Sequence, residues 1–151
     1  MKNLLIVYHS QSGNTLKLAN AVASGARLEQ GVSVHLLPAL EAGLDELLQA
    51  DGVLFGTPEN LGYMSGALKD FFDRTFYPAE PHQLSTPYAL FISAGNDGTG
   101  AVREIDRILR GYPMRKVAEP LIVTGEVDAD ALAQGEALGQ AMAAAVAMGA
   151  F

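Results

Sequence analysis

The chain has 151 residues, of which 49% are apolar, and its formal net charge is −7. That length suits one domain with one core, and the acidic balance disfavours nucleic acids and anionic membranes as partners. Because the chain contains no cysteine, disulfides, thiolate catalysis and cysteine-ligated metals are excluded. The three histidines lie far apart without metal-ligand spacing, so no metal site is predicted.

The first residues predict a strand rather than a leader or a membrane span. Apolar residues begin within the first few positions, which leaves no room for a signal peptide. No apolar run in the chain approaches the ~20 residues that a transmembrane helix needs. The sequence therefore predicts a soluble, cytoplasmic protein.

Strand and helix patterns then alternate five times along the chain. Alternation with short connections predicts a parallel sheet that is covered by helices on both faces, a three-layer α/β/α sandwich. The predicted strands span residues 3–9, 32–37, 51–57, 87–94 and 119–124, and the predicted helices span residues 14–29, 41–50, 65–76, 99–112 and 128–148.

The composition of the strands indicates their order in the sheet. Leu4–Val7, Val53–Phe55 and Leu90–Ile92 are continuous apolar runs, which are typical of strands buried on both faces. Residues 32–36 alternate in polarity instead, and Pro120 in the last strand cannot donate a hydrogen bond to a neighbour. These two strands therefore belong at the edges, and a five-stranded sheet of order 2-1-3-4-5 is predicted.

The outer faces of the third and fourth helices carry charged side chains. On the third helix, helical spacing predicts that Lys69 and Arg74 pair with Asp70 or Asp73. The charges of the fourth helix face away from its apolar stripe, which is typical of a solvated surface rather than a binding patch. These charged residues are Arg103, Glu104, Asp106, Arg107 and Arg110.

The last predicted helix is rich in alanine and carries Gly135 and Gly139 within it. Such small residues allow a neighbouring element to approach the helix backbone closely. Either the sheet or a second subunit would fit against this surface, and the sequence leaves both open.

A polar loop joins the first strand to the first helix, and residues 9–15 read His-Ser-Gln-Ser-Gly-Asn-Thr. The first N–H groups of a helix lack internal partners and carry partial positive charge, so the loop predicts an anion cradle. It contains no Lys or Arg, which indicates a terminal phosphate that neutral donors hold in place rather than one that is transferred. Because Ser, Asn and Thr also cap helices, an ordinary capped turn is the alternative.

Two further loops are expected beside this cradle. In a doubly wound sheet the ligand lies outside the carboxyl ends of the strands, here between strands one and three. The loop over Gly56–Met64 is long enough to wrap a flat ring, and the loop over Ser93–Gly100 can place backbone against its other side. The glycines of the latter loop do not complete a Gly-x-Gly-x-x-Gly dinucleotide motif, because position 103 is Arg.

Three segments resemble the FMN-contacting loops of the flavodoxin-like superfamily: Tyr8–Thr15, Gly56–Asp73 and Ser93–Ala101. They are more similar to its branch of NAD(P)H-dependent FMN reductases and quinone reductases, the WrbA-like flavoproteins, than to the electron-carrier flavodoxins. The resemblance covers essentially the whole chain in order. It implies a single flavodoxin-like FMN-binding domain over residues 1–151.

The resemblance also implies which residues contact FMN. Glu59, if it faces the ring, would disfavour the anionic reduced flavin, because like charges repel strongly in a partly dry site. Tyr63 is either a stacking partner of the ring or a plain surface tyrosine. The implied phosphate-binding set is Ser10, Gln11, Ser12, Gly13, Asn14 and Thr15; the ring is lined by Pro58, Glu59, Asn60, Leu61, Gly62 and Tyr63; and Ser93, Ala94, Gly95, Asn96 and Asp97 close the other side.

The resemblance implies an FMN oxidoreductase that accepts a hydride from NAD(P)H and reduces a quinone, a flavin or a similar small molecule by a ping-pong cycle. The flavin supplies the redox chemistry, so no side-chain acid or base is required. One alternative is a flavodoxin-type carrier that exchanges electrons with a redox protein and has no nicotinamide site. Another is an FMN-binding sensor without turnover. The family further implies a homodimer or a homotetramer.

Overall fold

The computed structural model describes all residues from 1 to 151. A parallel sheet lies between two layers of helices, and every strand except the fifth is followed by a helix. A short 3-10 turn over Glu80–His82 follows the third helix. The strands are β1 (Lys2–Tyr8), β2 (Val32–Pro38), β3 (Gly52–Pro58), β4 (Pro87–Ala94), β5 (Arg115–Lys116) and β6 (Leu121–Thr124), and the helices are α1 (Asn14–Ala26), α2 (Leu44–Gln49), α3 (Gly66–Ala79), α4 (Thr99–Arg110) and α5 (Ala129–Met148).

The strand order is β2-β1-β3-β4-β5, with β6 also paired to β4, and all the pairs are parallel. The predicted fold class and the order 2-1-3-4-5 are therefore confirmed. The buried strands β1, β3 and β4 lie inside the sheet, as their continuous apolar runs predict.

The fifth position of the sheet differs from the sequence prediction of one strand over residues 119–124. Two segments share the outer edge of β4: β5 pairs beside Pro87 and Tyr88, and β6 pairs beside residues 91–94. Pro120 lies between the two segments and has no backbone N–H to donate, so the ladder is interrupted there. The two-residue strand β5 is an addition that the sequence did not predict.

Successive residues of the buried strands point to opposite faces of the sheet and supply two separate cores. Leu5 and Val7 pack with α2, α3 and α4, whereas Leu4 and Ile6 pack with α1 and α5. The first core is aromatic, and its Tyr112 hydroxyl donates a 3.1 Å hydrogen bond to the backbone carbonyl of Phe72. Burial raises the pKa of Tyr112 to about 12.

The small residues of α5 lie against α1. A Cβ atom added to Gly139 would lie 1.9 Å from the carbonyl oxygen of Val22, and one added to Gly25 would lie 2.0 Å from that of Glu136. These glycines therefore let the two helix backbones touch. The sequence left the sheet and a second subunit open as neighbours of Gly135 and Gly139, and the neighbour at both positions is α1.

Ion pairs along α3 form at the predicted spacing. Lys69 pairs with Asp73, and the hydrogen bond between them raises the pKa of Lys69. Arg74 pairs with Asp70 at 2.7 Å and also donates to the backbone carbonyl of Ala39 at 2.8 Å. None of the five helices is both long and apolar enough to cross a lipid bilayer.

Candidate functional site

Three loops meet at the edge of the sheet where the strands end. The first loop (residues 9–13) joins β1 to α1, the second loop (residues 59–65) joins β3 to α3, and the third loop (residues 95–98) joins β4 to α4. The side-chain amide of Asn60 donates to that of Gln11 at 3.0 Å, which ties the second loop to the first. The loops that the sequence places around one ligand therefore lie side by side.

The first loop leaves the N-terminus of α1 open. The hydroxyl oxygen of Ser10 accepts hydrogen bonds from the N–H groups of Gly13 and Leu16, both at 3.1 Å. A hydroxyl has two acceptor positions and one proton, so Ser10 can still donate its proton. The N–H groups of Asn14 and Thr15 have no acceptor in the protein. The φ of +102° at Gly13 allows the chain to enter the helix in this way.

Beneath this opening, Thr15 and Ser93 bond to each other through their hydroxyl groups at 2.7 Å. Thr15 is 1% exposed and Ser93 is 5% exposed, so both side chains are buried. The pair ties α1 to the end of β4 across the floor of the site. The group of Thr15 that remains without a partner is its backbone N–H.

The second loop contains a two-residue turn. The N–H of Asn60 donates to the carbonyl of Tyr63 at 2.8 Å, and the reverse bond measures 2.9 Å. Between them, Leu61 and Gly62 have φ values of +53° and +74°, the combination of a type I′ turn. Leucine rarely adopts this conformation, and here its side chain is also fully exposed. Backbone strain of this kind clusters at ligand-binding sites, and no sequence signal indicated it.

Glu59 connects the second loop to α4. One carboxylate oxygen accepts from the N–H of Gly98 at 3.3 Å, and the other accepts from those of Gly100 and Ala101 at 2.9 and 3.3 Å. The N-cap of α4 is Gly98, which has no side chain to satisfy these donors. Glu59 therefore caps a helix that lies 39 or more positions further along the chain, and its charge offsets the positive end of the helix dipole.

This contact was missed by reasoning from the sequence, which considered Glu59 only in relation to the flavin ring. The available signal was the glycine at the start of α4, because a glycine N-cap leaves the first N–H groups without a local side-chain acceptor. With its charge placed against the helix, the carboxylate is less able to repel an electron-rich ring than a free one.

The second and third loops also touch through their backbones. A Cβ atom added to Gly100 would lie 2.1 Å from the carbonyl oxygen of Gly62, so the second loop rests directly on the first turn of α4. In the third loop, the Asp97 carboxylate accepts from the N–H and the hydroxyl of Thr99 at 3.0 and 2.8 Å. These hydrogen bonds lower the pKa of Asp97. The two loops thus form one packed unit.

An open polar cleft of about 670 Å³ lies between the second and third loops, and no apolar residue lines it. Tyr63 lines a different cavity, which lies between α3 and α4. The cleft residues are Glu59, Gly62, Asn96, Asp97, Thr99, Gly100 and Arg103. Among the sequence-predicted contacts, Thr15, Ser93 and Ala94 are buried; Ser10, Gly13, Asn14, Pro58, Glu59, Asn60 and Tyr63 are half-buried; and Gln11, Ser12, Leu61, Gly62, Gly95, Asn96 and Asp97 are exposed.

The topology and these loops define a flavodoxin-like protein. A solved flavodoxin from the domain Archaea is similar to this chain with a TM-score of 0.84 and 26% sequence identity, over 95% of this chain and 98% of that one. Residues 37–128 match the family described as NADPH-dependent FMN reductase. The chain belongs to that family.

Two relatives carry different descriptions. A protein of Aquifex aeolicus described as a flavodoxin is 42% identical over 73 residues, which are 48% of this chain and 40% of the relative. An NAD(P)H dehydrogenase (quinone) of Acidithiobacillus ferrooxidans is 35% identical over 95 residues, 50% of this chain and 48% of the relative. The chain therefore spans about half the length of the curated relatives it matches.

FMN is accordingly the cofactor of this chain, and the first loop fits its phosphate. The opening of α1 offers unbonded backbone N–H groups and the free proton of Ser10. Groups of this kind at a helix N-terminus bind phosphate without a cationic side chain. The polar cleft provides open space beside the second and third loops.

Proposed function

We propose that this chain is an FMN-dependent oxidoreductase that transfers reducing equivalents from NAD(P)H to a quinone, a flavin or a similar small acceptor. FMN supplies the redox chemistry when bound, and the chain holds and orients it. The observation that carries the proposal is the open N-terminus of α1, which lies beside two loops that are already packed together.

The first loop has the task of holding the phosphate. Ser10 and Ser12 supply hydroxyl donors, and Asn14 and Thr15 supply backbone N–H groups at the positive end of α1. Every donor is neutral, and the loop has no Lys or Arg that could stabilise a phosphate group while it is transferred. The loop is therefore suited to a cofactor that stays bound through many cycles.

The second and third loops have the task of orienting the ring. Contacts from the Glu59 carboxylate and from Gly100 fix the second loop before any ligand arrives. The backbone at Asn60 and Gly62 would then meet the edge of the ring, and Asn96 and Asp97 would meet its other side. Preorganised backbone of this kind reduces the entropy lost when the ligand binds.

A flavodoxin-type electron carrier is the second candidate function. It is favoured by the archaeal flavodoxin, which this chain matches over nearly the full length of both. A carrier would exchange electrons with a redox protein and would need no nicotinamide site. For either function we also propose a homodimer or a homotetramer, which sedimentation would detect.

Absorbance spectroscopy separates the two functions. We expect the purified protein to be yellow and to release FMN on denaturation. Anaerobic mixing with NADPH, and separately with NADH, should bleach the bound flavin rapidly if the protein is a reductase. If neither nucleotide changes the spectrum while dithionite bleaches it, the reductase proposal is wrong and the carrier is supported. A colourless protein that does not take up added FMN would contradict both.

A further inference from the structure

A second cavity, of about 490 Å³, lies between α3 and α4 and is outside the site described above. We name it the α3–α4 groove. Its volume is within the ~300–1,000 Å³ range of small-molecule pockets. Tyr63 belongs both to the second loop and to this groove, so the two sites adjoin. The apolar walls are Tyr63, Phe72, Phe76, Tyr77 and Ile108, and the charged residues are Lys69, Asp73, Glu104 and Arg107.

The segment from Arg103 to Lys116, which includes most of α4 and all of β5, is basic, although the chain as a whole is acidic. Residues 103–116 contain five of the ten Lys and Arg residues of the chain but only two of its 17 acidic residues. All five basic side chains are exposed. Of the charged residues that line the groove, Lys69 pairs with Asp73 and Glu104 pairs with Arg103, so the charge left unpaired is the positive one of Arg107, which favours an anionic ligand.

Arg107 is the basic residue that both lines the groove and lacks a partner. Arg103 bonds to Glu104 at 3.2 Å, and Lys116 bonds to Asp106 at 2.8 Å. Arg107 forms no ion pair within the chain. A free guanidinium at the rim of an aromatic groove is suited to a phosphate group, which it can bind through two parallel hydrogen bonds.

We propose that the α3–α4 groove binds the adenosine end of NADPH, with the aromatic walls against the adenine and Arg107 on the ribose phosphate. The inference rests on the proposed reductase function for the identity of the ligand. Arg103 lines the polar cleft, and Arg107 lies one turn further along α4, about 6 Å away. A dinucleotide extending from the cleft into the groove would pass from one of these arginines to the other.

The test is a calorimetric titration of the FMN-loaded protein with adenosine 2′,5′-bisphosphate. This probe lacks nicotinamide and cannot reduce the flavin. We expect saturable binding that Arg107→Gln weakens about tenfold or more, the loss typical of a charge-assisted contact. Tyr77→Ser should also weaken binding, and because Tyr77 is 75% exposed the fold should tolerate the change. Arg27→Gln is the matched control, since Arg27 is exposed and follows α1 on the opposite face of the sheet.

Absence of saturable binding at millimolar probe, or equal binding by wild type and Arg107→Gln, would overturn the inference. A change of sedimenting mass in Tyr77→Ser would also overturn it, because the groove would then be a contact between copies.

Failure of the proposed reductase function gives a different result from failure of the groove assignment. If NADPH bleaches the flavin with the same concentration dependence in wild type and Arg107→Gln, only the groove assignment is wrong. If NADPH never bleaches the flavin, the reductase proposal fails, and the titration still decides whether the groove binds adenine nucleotides.

Discussion

Two helices, α1 and α4, begin at the same edge of the sheet, and they differ in whether their first N–H groups have acceptors within the protein. The N-terminus of α1 is left open, with N–H groups that have no acceptor in the protein. The N-terminus of α4 is closed by the protein's own carboxylates, those of Glu59 and Asp97. Either helix end would attract an anion by itself. Closing one of them directs a phosphate to α1 and uses the other helix dipole to hold the loops together.

Gly100→Ala, at the closed N-terminus of α4, should have the largest effect on stability and on FMN binding. The new Cβ would collide with the backbone of Gly62, and we expect a loss of about 1–3 kcal/mol in the free energy of unfolding, typical of overpacking, together with weaker FMN binding. The loss should appear although alanine favours helix more than glycine. Gly66→Ala, in the first turn of α3, is the control, because nothing lies within 4 Å of a Cβ there. Chemical denaturation and FMN titration give the two measurements, and equal behaviour of the variants would refute the close contact.

Glu59→Ala should convert the closed helix end into an open one. Removing the acceptors of three N–H groups is expected to lower the free energy of unfolding by about 1–2 kcal/mol. The freed donors should then bind a small anion, so sulfate should raise the melting temperature of the variant more than that of the wild type. Glu59→Gln, which keeps the acceptor oxygen without the charge, should fall between them. A sulfate response no larger than that of the wild type would show that α4 is closed by something other than Glu59.

Ser10→Ala tests the open end. It removes a proton donor to the ligand and the acceptor that organises the first turn of α1. We expect the dissociation constant for FMN to rise about tenfold, corresponding to about 1.4 kcal/mol. Ser24→Ala, an exposed position on the same helix, is the control. Quenching of FMN fluorescence on binding to the apoprotein measures both, and unchanged affinity in Ser10→Ala would place the phosphate elsewhere.

Asp97→Asn should give the smallest effect, and one that depends on pH. Hydrogen bonds from Thr99 lower the pKa of Asp97 below its ordinary value of 3.8. A lowered pKa in the folded state means that the carboxylate stabilises the fold above pH 3.8 and that this contribution is lost as the pH falls through the folded pKa. The difference in melting temperature between wild type and variant should therefore be largest near neutral pH and should shrink in acid. A difference that grows in acid would contradict the assignment.

Local sequence patterns predicted much of the fold and the phosphate-binding loop at the open N-terminus of α1. The apolar runs of β1, β3 and β4 and the polar loop before α1 are features of neighbouring residues, and they indicate the strand order and the cradle directly. Pro120 marked an edge strand, but the sequence did not show that the chain would pair on both sides of it.

Other contacts of the site depend on residues that are distant in sequence. Thr15 and Ser93 are 78 positions apart, and Glu59 reaches a helix 39 or more positions further on. Neither contact leaves a periodic signal, because each is created by the packing of complete strands and helices. The type I′ turn at Leu61 was missed for a related reason, since leucine is not a residue that marks such turns.

The use of both acceptor positions of the Ser10 hydroxyl has a consequence for ligand discrimination. With its lone pairs occupied by Gly13 and Leu16, the hydroxyl is a donor only, as are the free N–H groups beside it. Riboflavin ends in an alcohol, whose single oxygen cannot satisfy so many donors and whose own proton would find no acceptor among them. Unpaired donors are costly once water is displaced. We therefore expect the open N-terminus of α1 to favour binding of FMN, the phosphate ester, over binding of riboflavin.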